Sequence, residues 1–146
     1  MGNVVVSTVI ERPIAVVWDD IRRLDSHVEW MADAETIRFL TDDHAGIGTR
    51  FECDTKVGPL RTTDVMEVTE WVEGERIGVR HIGLVTGVGA FILHPVDADR
   101  TEFRWDETLS FPWWFGGRIG AVVAHPLLAA IWRRNLRRLR QRLESQ

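Results

Sequence analysis

The sequence predicts an α+β protein in which a curved antiparallel sheet wraps around a long C-terminal helix. Polar and apolar residues alternate in short runs from about residue 35 to residue 109, which is typical of half-buried strands. Turn signals such as Gly58-Pro59 separate the runs, so consecutive strands are expected to lie antiparallel. The last third repeats its apolar residues at helical spacing. Because the sheet must bury one face, this helix is the element that covers it.

Two short helices are predicted between the first strand and the rest of the sheet. Residues 3–10 are mostly β-branched and indicate a strand. Pro13 stands where a helix places its first residue, and the apolar spacing carries that helix to about Leu24. A second helical turn is expected around residues 28–31.

The remaining strands are predicted from alternating polar and apolar residues, and the last helix from apolar residues at helical spacing. The clearest strands are predicted at residues 50–57, 62–71, 76–82, 89–94 and 101–110. The C-terminal helix is predicted from residue 118 to residue 143, a length of about 39 Å at 1.5 Å per residue. Pro126 falls inside this helix and is expected to kink it or split it.

Composition narrows the class of protein. A chain of 146 residues is expected to form a single domain, spanning residues 1–146. Its net charge of −4 argues against a general nucleic-acid binder. Cys53 is the sole cysteine, so no disulfide forms within the chain. The N-terminus lacks the features of a signal peptide and no apolar run is long enough for a membrane span, so we expect a cytoplasmic protein.

Signatures of cofactor and metal sites fail in this sequence. The segments Gly46-Ile-Gly48 and Gly87-Val-Gly89 precede predicted strands, whereas a dinucleotide fingerprint opens a helix. The five histidines are dispersed and form no pair with metal-binding spacing. We therefore expect neither a cofactor nor a metal ion.

Several segments together match a known family pattern. They are residues 4–19, Trp30, and residues 46–51, 67–77 and 132–139. On these segments, which span nearly the whole chain, the sequence resembles the polyketide cyclase/dehydrase and lipid-transport superfamily, together with START domains and the birch-pollen allergen type. The resemblance implies a helix-grip fold with a central cavity between sheet and helix. It carries over no catalytic residues, because the superfamily has no universal catalytic motif and uses its cavity for polyketides, lipids, sterols and plant hormones.

Two polar side chains are expected among the apolar residues that face this cavity. Glu107 alternates with Trp105 and Leu109, and a buried carboxylate is costly unless it is paired or neutral. It is predicted to act as a proton donor or ligand anchor, or else to pair with an arginine near the cavity mouth. His81 follows Val79 by the same alternation, and a neutral imidazole there can shuttle a proton. The alternative for His81 is a hydrogen-bonded structural role.

Other side chains are predicted to contact a ligand. They are Trp30, Phe51, Asp64, Met66, Trp71, Val79, Phe91, Trp105, Trp113, Trp114, Val123 and Leu127. The direction of Asp64 stays ambiguous, because its neighbour Val65 is also apolar. Trp113 and Trp114 precede two glycines where the last strand meets the helix, which favours either a cavity gate or a packed entry loop.

Three functions remain open from the sequence. The first is binding of a small hydrophobic or polycyclic molecule, lipid-like or polyketide-like, in the cavity. The second is a polyketide cyclase or dehydratase with His81 and Glu107 as its acid/base pair. The third is a protein-interaction module. The six arginines between Arg133 and Arg142 form either a solvated face or a patch for transient contact with anionic membranes, and the protein is expected to be a monomer or a homodimer.

Overall fold

The computed structural model describes residues 2–146, and this part of the chain contains seven strands, two α-helices and two 3-10 helices. The strands are β1 (Gly2–Ile10), β2 (Ala34–Phe39), β3 (Arg50–Val57), β4 (Leu60–Val72), β5 (Arg76–Ile82), β6 (Thr86–Pro95) and β7 (Thr101–Ser110). The helices are α1 (Ile14–Ile21) and α2 (Gly117–Glu144), and the 3-10 helices span Leu24–Glu29 and Trp113–Phe115. None of the helices in residues 2–146 is both long and apolar enough to cross a membrane.

The strands form one curved antiparallel sheet in the order β1-β7-β6-β5-β4-β3-β2. Strands β2 to β7 are a meander, in which each strand pairs with the next along the chain because the connections are short. Strand β1 pairs with β7 at the far edge, with Val6 opposite Trp105. The predicted helix-grip architecture, a curved antiparallel sheet around a long C-terminal helix, is confirmed.

The C-terminal half of α2 closes the core against the sheet. Its apolar residues recur every three or four positions and are fully buried: Trp132, Leu136, Leu139 and Leu143. They meet buried side chains of β1, α1 and β7, such as Ile10, Ile21 and Phe103. Burial of this stripe explains why the end of the chain is helical, because exposed arginines occupy most of the opposite positions.

Helix α2 is continuous through Pro126, so the expectation that proline splits it is wrong. Proline removes one backbone hydrogen bond from the helix, while the remaining turns on both sides keep theirs. Pro126 is also exposed, so its ring lies away from the sheet. The two short helices differ less from their predicted boundaries. Helix α1 starts one residue after Pro13 and ends at Ile21, and the second helical turn is a 3-10 helix that already begins at Leu24.

Charged contacts fix the C-terminal end of α2. The Asp20 side chain is 5% exposed, and its Oδ1 lies 3.1 Å from Nη2 of Arg142, which also contacts Glu29. The Arg12 guanidinium donates to the carbonyl of Leu143 at 2.9 Å. This end of the helix is therefore tied to the first connection and to both short helices.

Candidate functional site

A cavity of about 310 Å³ lies between the sheet and the N-terminal half of α2. Apolar side chains form most of its wall, among them Val57, Leu60, Met66, Leu84, Val85, Trp105, Leu109, Phe111, Phe115, Leu127, Leu128 and Trp132. A smaller pocket of about 60 Å³ continues toward the core, and Met66, Trp105 and Glu107 line both spaces. The volume is at the lower end of the range for small-molecule sites.

Small residues of α2 make the space. Gly120 and Ala124 face the cavity at positions where the second half of the helix carries Trp132 and Leu136. Because these two positions carry no large side chain, space remains between this part of the helix and the sheet, with Leu127, Leu128 and Trp132 at its border. The cavity thus begins where the helix stripe changes from large residues to small ones.

His81 and Glu107 meet inside the cavity, although they belong to strands that are not adjacent. His81 lies on β5 opposite Gly87 of β6, and Glu107 lies on β7 opposite Gly89 of β6. A Cβ at Gly89 would stand 2.8 Å from Cδ of Glu107, so a larger residue there would displace the carboxylate. The glycine lets the Glu107 side chain lie across β6 and reach toward β5.

The His81–Glu107 pair is buried, and its closest atoms are farther apart than in a hydrogen bond of normal length. Nε2 of His81 lies 3.5 Å from Oε2 of Glu107, and the two side chains are 10% and 9% exposed. Oε1 of Glu107 accepts a hydrogen bond from the Trp105 indole at 3.0 Å. Within residues 2–146, Nε2 of His81 is buried and makes no hydrogen bond. The ion partner of Glu107 is therefore this imidazole and not the arginine that was the alternative expectation.

The surroundings of His81 favour its protonated form. Burial by itself lowers the pKa of the imidazole, but the negative charges of Glu107 and Asp64 outweigh this effect and raise the pKa above its ordinary value of 6.5. His81 consequently holds its proton at a higher pH than an exposed histidine does, which suits a group that donates a proton.

Asp64 faces the cavity as well, which resolves the ambiguity in the sequence. It is 7% exposed and accepts hydrogen bonds from the backbone N–H of Leu84 at 3.1 Å and from the Thr62 hydroxyl at 3.4 Å. The carboxylate has room there because residue 83 is glycine: a Cβ at that position would stand 3.0 Å from Cγ of Asp64 and displace the side chain. Asp64 thus adds a second carboxylate to the same wall.

The sequence reasoning missed a third carboxyl group, Asp33, and the residue that holds it. Asp33 lines the cavity, and its Oδ1 accepts a hydrogen bond from the Asn135 amide at 2.7 Å. Burial raises the pKa of Asp33, and the Asn135 hydrogen bond offsets part of that rise. Asn135 also accepts the N–H of Ala32 at 3.0 Å. Its position inside the apolar stripe of α2, next to Leu136, is the sequence signal that could have identified it.

The predicted ligand contacts divide into two groups. The cavity or its smaller extension is lined by His81, Glu107, Phe51, Asp64, Met66, Val79, Phe91, Trp105 and Leu127. Trp30, Trp71, Trp113, Trp114 and Val123 lie outside the lining of both spaces.

The reasons differ among these five residues. Trp30 is fully buried in the core between Phe91 and Phe103, and Trp71 packs edge-on against Trp18. Trp113, Trp114 and Val123 point to solvent and are 85%, 62% and 69% exposed. Two of these predicted ligand contacts are thus packing residues, and three lie on the surface outside the lining of both spaces.

Metal binding receives no support from the geometry of the described chain. Within residues 2–146, no three His, Cys, Asp or Glu side chains stand close enough to hold one ion. Cys53 lines both spaces, but burial raises the pKa of its thiol to about 11, which keeps it uncharged at neutral pH. The other titratable groups on the cavity wall are Asp33, Asp64, His81 and Glu107.

Comparisons with known proteins agree with the helix-grip fold. The Zhui aromatase/cyclase of a Streptomyces species superposes with a TM-score of 0.73 at 18% identity, covering 98% of this chain and 93% of that chain. The di-domain aromatase/cyclase BexL gives a TM-score of 0.77 at 13% identity, covering 99% of this chain and 47% of that one. A protein of Thermus thermophilus gives 0.77 at 16% identity, covering 99% and 98%. At these identities the likeness shows the fold alone.

The sequence itself assigns the family. A search of the curated proteins finds no match to the chain. The family model described as polyketide cyclase/dehydrase and lipid transport matches residues 1–144, which is nearly the full length. The chain therefore belongs to the polyketide cyclase/dehydrase and lipid-transport family.

Proposed function

We propose that the protein binds one small hydrophobic or polycyclic molecule in the cavity between the sheet and α2. The observation that carries the proposal is the cavity itself, whose 310 Å³ are bounded mainly by apolar side chains with a few polar groups on one wall. Burial of an apolar ligand there would stabilise the complex by roughly 25 cal/mol for each Å² removed from water. The family description, which includes lipid transport, supports the same reading.

A neutral fluorescent probe, N-phenyl-1-naphthylamine, tests this function. We expect the wild-type protein to bind it, with enhanced emission, and Ala124→Phe to abolish binding because the new ring fills the cavity. Val122→Phe is the matched control, since residue 122 lies two positions away on the exposed side of the same helix. Absence of probe binding to the wild type, or unchanged binding to the Ala124 variant, would overturn the proposal.

A second candidate function is acid/base catalysis of the cyclase or dehydratase type. The specific observation that favours it is the inward pair His81 and Glu107, whose closest atoms are 3.5 Å apart beside the apolar space. In a dehydration, the Glu107 carboxylate would take a proton from carbon while the His81 imidazolium protonates the departing hydroxyl. The C–O bond breaks, water leaves, and the proton on Glu107 returns to His81.

Deuterium exchange at a bound ketone tests this chemistry without knowledge of the natural substrate. We expect the wild type to accelerate exchange of the α-protons of 2-tetralone in D₂O, followed by proton NMR. His81→Gln and Glu107→Gln should each slow the exchange by about 10²–10⁴-fold. Asp106→Asn, on the outer face of β7, should retain the wild-type rate. Exchange at the buffer rate in the wild type, with the neutral probe still bound, would leave binding as the function and exclude catalysis of enolisation.

We further propose that ligand exchange takes place at an anionic membrane surface through the exposed face of α2. Ile119, Val122 and Val123 are 68–78% exposed on the N-terminal half of this face, beside Trp113 and Trp114.

At 100° per residue, Arg133, Arg134 and Arg137 continue the same face. Among residues 2–146, none of these three arginines has an ion-pair or hydrogen-bond partner. An apolar segment followed by free arginines complements a surface of acyl chains and anionic headgroups.

Vesicle flotation tests the membrane contact. We expect binding to vesicles with 30% phosphatidylserine and none to neutral vesicles. The triple change of Arg133, Arg134 and Arg137 to Glu should abolish it, because each arginine contributes about 1 kcal/mol near such a surface. Equal binding of the triple variant would refute this mode of contact.

A further inference from the structure

We infer that the cavity selects apolar ligands that carry an ammonium group and discriminates against those that carry a carboxylate. The inference rests on the proposed function, because it names the class of ligand for the same cavity. It comes from the charges on the cavity wall, which are one-sided, and from a buried imidazole nitrogen that has no hydrogen-bond partner.

The titratable groups that face the cavity are few. They are Asp33, Cys53, Asp64, His81 and Glu107, and the residues that line the cavity include no arginine and no lysine. Three carboxyl groups therefore oppose one imidazole. If His81 is protonated, Asp33 neutral and the other two carboxyl groups ionised, one negative charge remains in excess. A carboxylate ligand would add another negative charge in a place poorly reached by water.

The hydrogen bonds to these three carboxyl groups come from neutral donors. Asp64 takes the Leu84 N–H and the Thr62 hydroxyl, Glu107 takes the Trp105 indole, and Asp33 takes the Asn135 amide. These bonds orient the oxygens but supply no full positive charge. Of the described residues on this wall, His81 is the one that can carry a positive charge, so the carboxyl groups share a single potential cation, and a ligand ammonium within reach of them would add counter-charge.

His81 is the independent observation that points to a ligand. Its side chain is nine-tenths buried, it lines the cavity, and its Nε2 makes no hydrogen bond among residues 2–146. Its charged neighbour, Oε2 of Glu107, is too distant for a hydrogen bond of normal length, so a bound molecule can supply the missing hydrogen bond. A neutral His81 can accept a hydrogen bond from an ammonium that also contacts Glu107, whose Oε2 lies 3.5 Å from Nε2.

The binding of a cation is expected to depend on the protonation of His81. A protonated imidazole would repel a ligand ammonium, so affinity for the amine should increase as the pH rises above the pKa of His81. The other cavity groups do not reverse this sign: the Cys53 thiol is neutral in this range, and Asp33, Asp64 and Glu107 attract a cation whenever they are ionised. His81→Gln should remove this pH dependence.

Three ligands with one apolar body test the inference: 2-naphthylmethylamine, 2-naphthalenemethanol and 2-naphthoic acid. Their dissociation constants are measured by displacement of N-phenyl-1-naphthylamine from the full-length protein at pH 8. We expect the amine to bind at least about tenfold more tightly than the acid, a difference of about 1.4 kcal/mol, with the alcohol between them.

Variants assign the preference to the cavity carboxylates. Asp64→Asn and Glu107→Gln should each reduce the ratio of amine to acid affinity, and a thermal melt checks that at least one of them folds. Asp106→Asn makes the same charge change on the outer face of β7 and should leave the ratio unchanged. Equal or tighter binding of the acid to the wild type, while the neutral probe still binds, would overturn the inference and leave the proposed function standing. Failure of the neutral probe to bind would remove both.

Discussion

The two halves of helix α2 cover the same sheet in different ways. Residues 131–144 bury Trp132, Leu136, Leu139 and Leu143 against the core, and charged contacts hold their end. Residues 117–130 bury only the small side chains of Ala121 and Ala129, and they expose most of their large apolar residues. One continuous helix thus serves as a packed anchor at one end and as the roof of a cavity at the other.

This difference teaches that the size of the inward residues, and not helical pattern, decides where the core ends. Both halves are amphipathic enough to form the helix, but Gly120 and Ala124 leave the sheet uncovered where Leu136 and Leu139 fill the space. The buried carboxyl groups Asp64 and Glu107 lie under the open half. Hydrogen bonds from the Leu84 N–H and the Thr62 hydroxyl to Asp64, and from the Trp105 indole to Glu107, offset part of the cost of burying these groups.

The largest loss of folding stability is expected from truncating a buried leucine in residues 131–144. Leu139→Ala removes a side chain with no exposed surface and should lower the free energy of unfolding by about 2–5 kcal/mol. Val122→Ala, an apolar truncation in the open half where the side chain is 68% exposed, should change it by less than about 0.5 kcal/mol. Urea denaturation of both variants measures the contrast. Similar losses would show that the two halves are packed alike.

An intermediate effect is expected at Asn135, the buried polar residue of the packed half. Asn135→Ala leaves the buried Asp33 carboxyl and the Ala32 N–H without their partner and should destabilise the fold by about 1–3 kcal/mol. Arg134→Ala, one position away and exposed, is the matched control and should be close to neutral. The same urea measurement applies. A neutral Asn135 variant would mean that the loop before β2 is held by other contacts.

The smallest effect is the pH dependence of folding stability that His81 contributes, and this residue lies under the cavity half of the helix. Because the pKa of His81 is raised in the folded protein, its protonation favours folding. That stabilisation is fully present below the ordinary pKa of 6.5 and is lost as the pH rises through the higher folded value. Wild-type stability should therefore exceed that of His81→Gln more at pH 5.5 than at pH 9. A constant difference across this range of urea titrations would contradict the raised pKa.

Much of the sheet could be predicted from local pattern, because alternation along a strand determines which residues share a face. Phe51 and Cys53 on β3 and Trp105 and Glu107 on β7 face inward as their spacing predicts. His81 faces inward for the same reason. The sequence could therefore identify the catalytic candidates without any knowledge of the cavity.

The sequence pattern could not distinguish residues of the packed core from residues that line the cavity, because both are apolar and lie on the inner face of the sheet. Trp30 is packed in the core while Met66 lines the cavity, and nothing in their local sequence distinguishes the two. The contact of Asn135 with Asp33 joins residues 102 positions apart, which no local periodicity reports. The exposed state of Val123 likewise depends on how the sheet curves away beneath α2.

The glycine on β6 has a consequence for how this site can change over generations. Gly89 lines the smaller pocket, and its missing side chain is what allows the Glu107 carboxylate to lie across β6. A descendant that acquires any larger residue at position 89 must relocate or surrender the acid at position 107. We therefore expect the residues at positions 89 and 107 to vary together among relatives. An acid beside His81 is expected where position 89 is glycine.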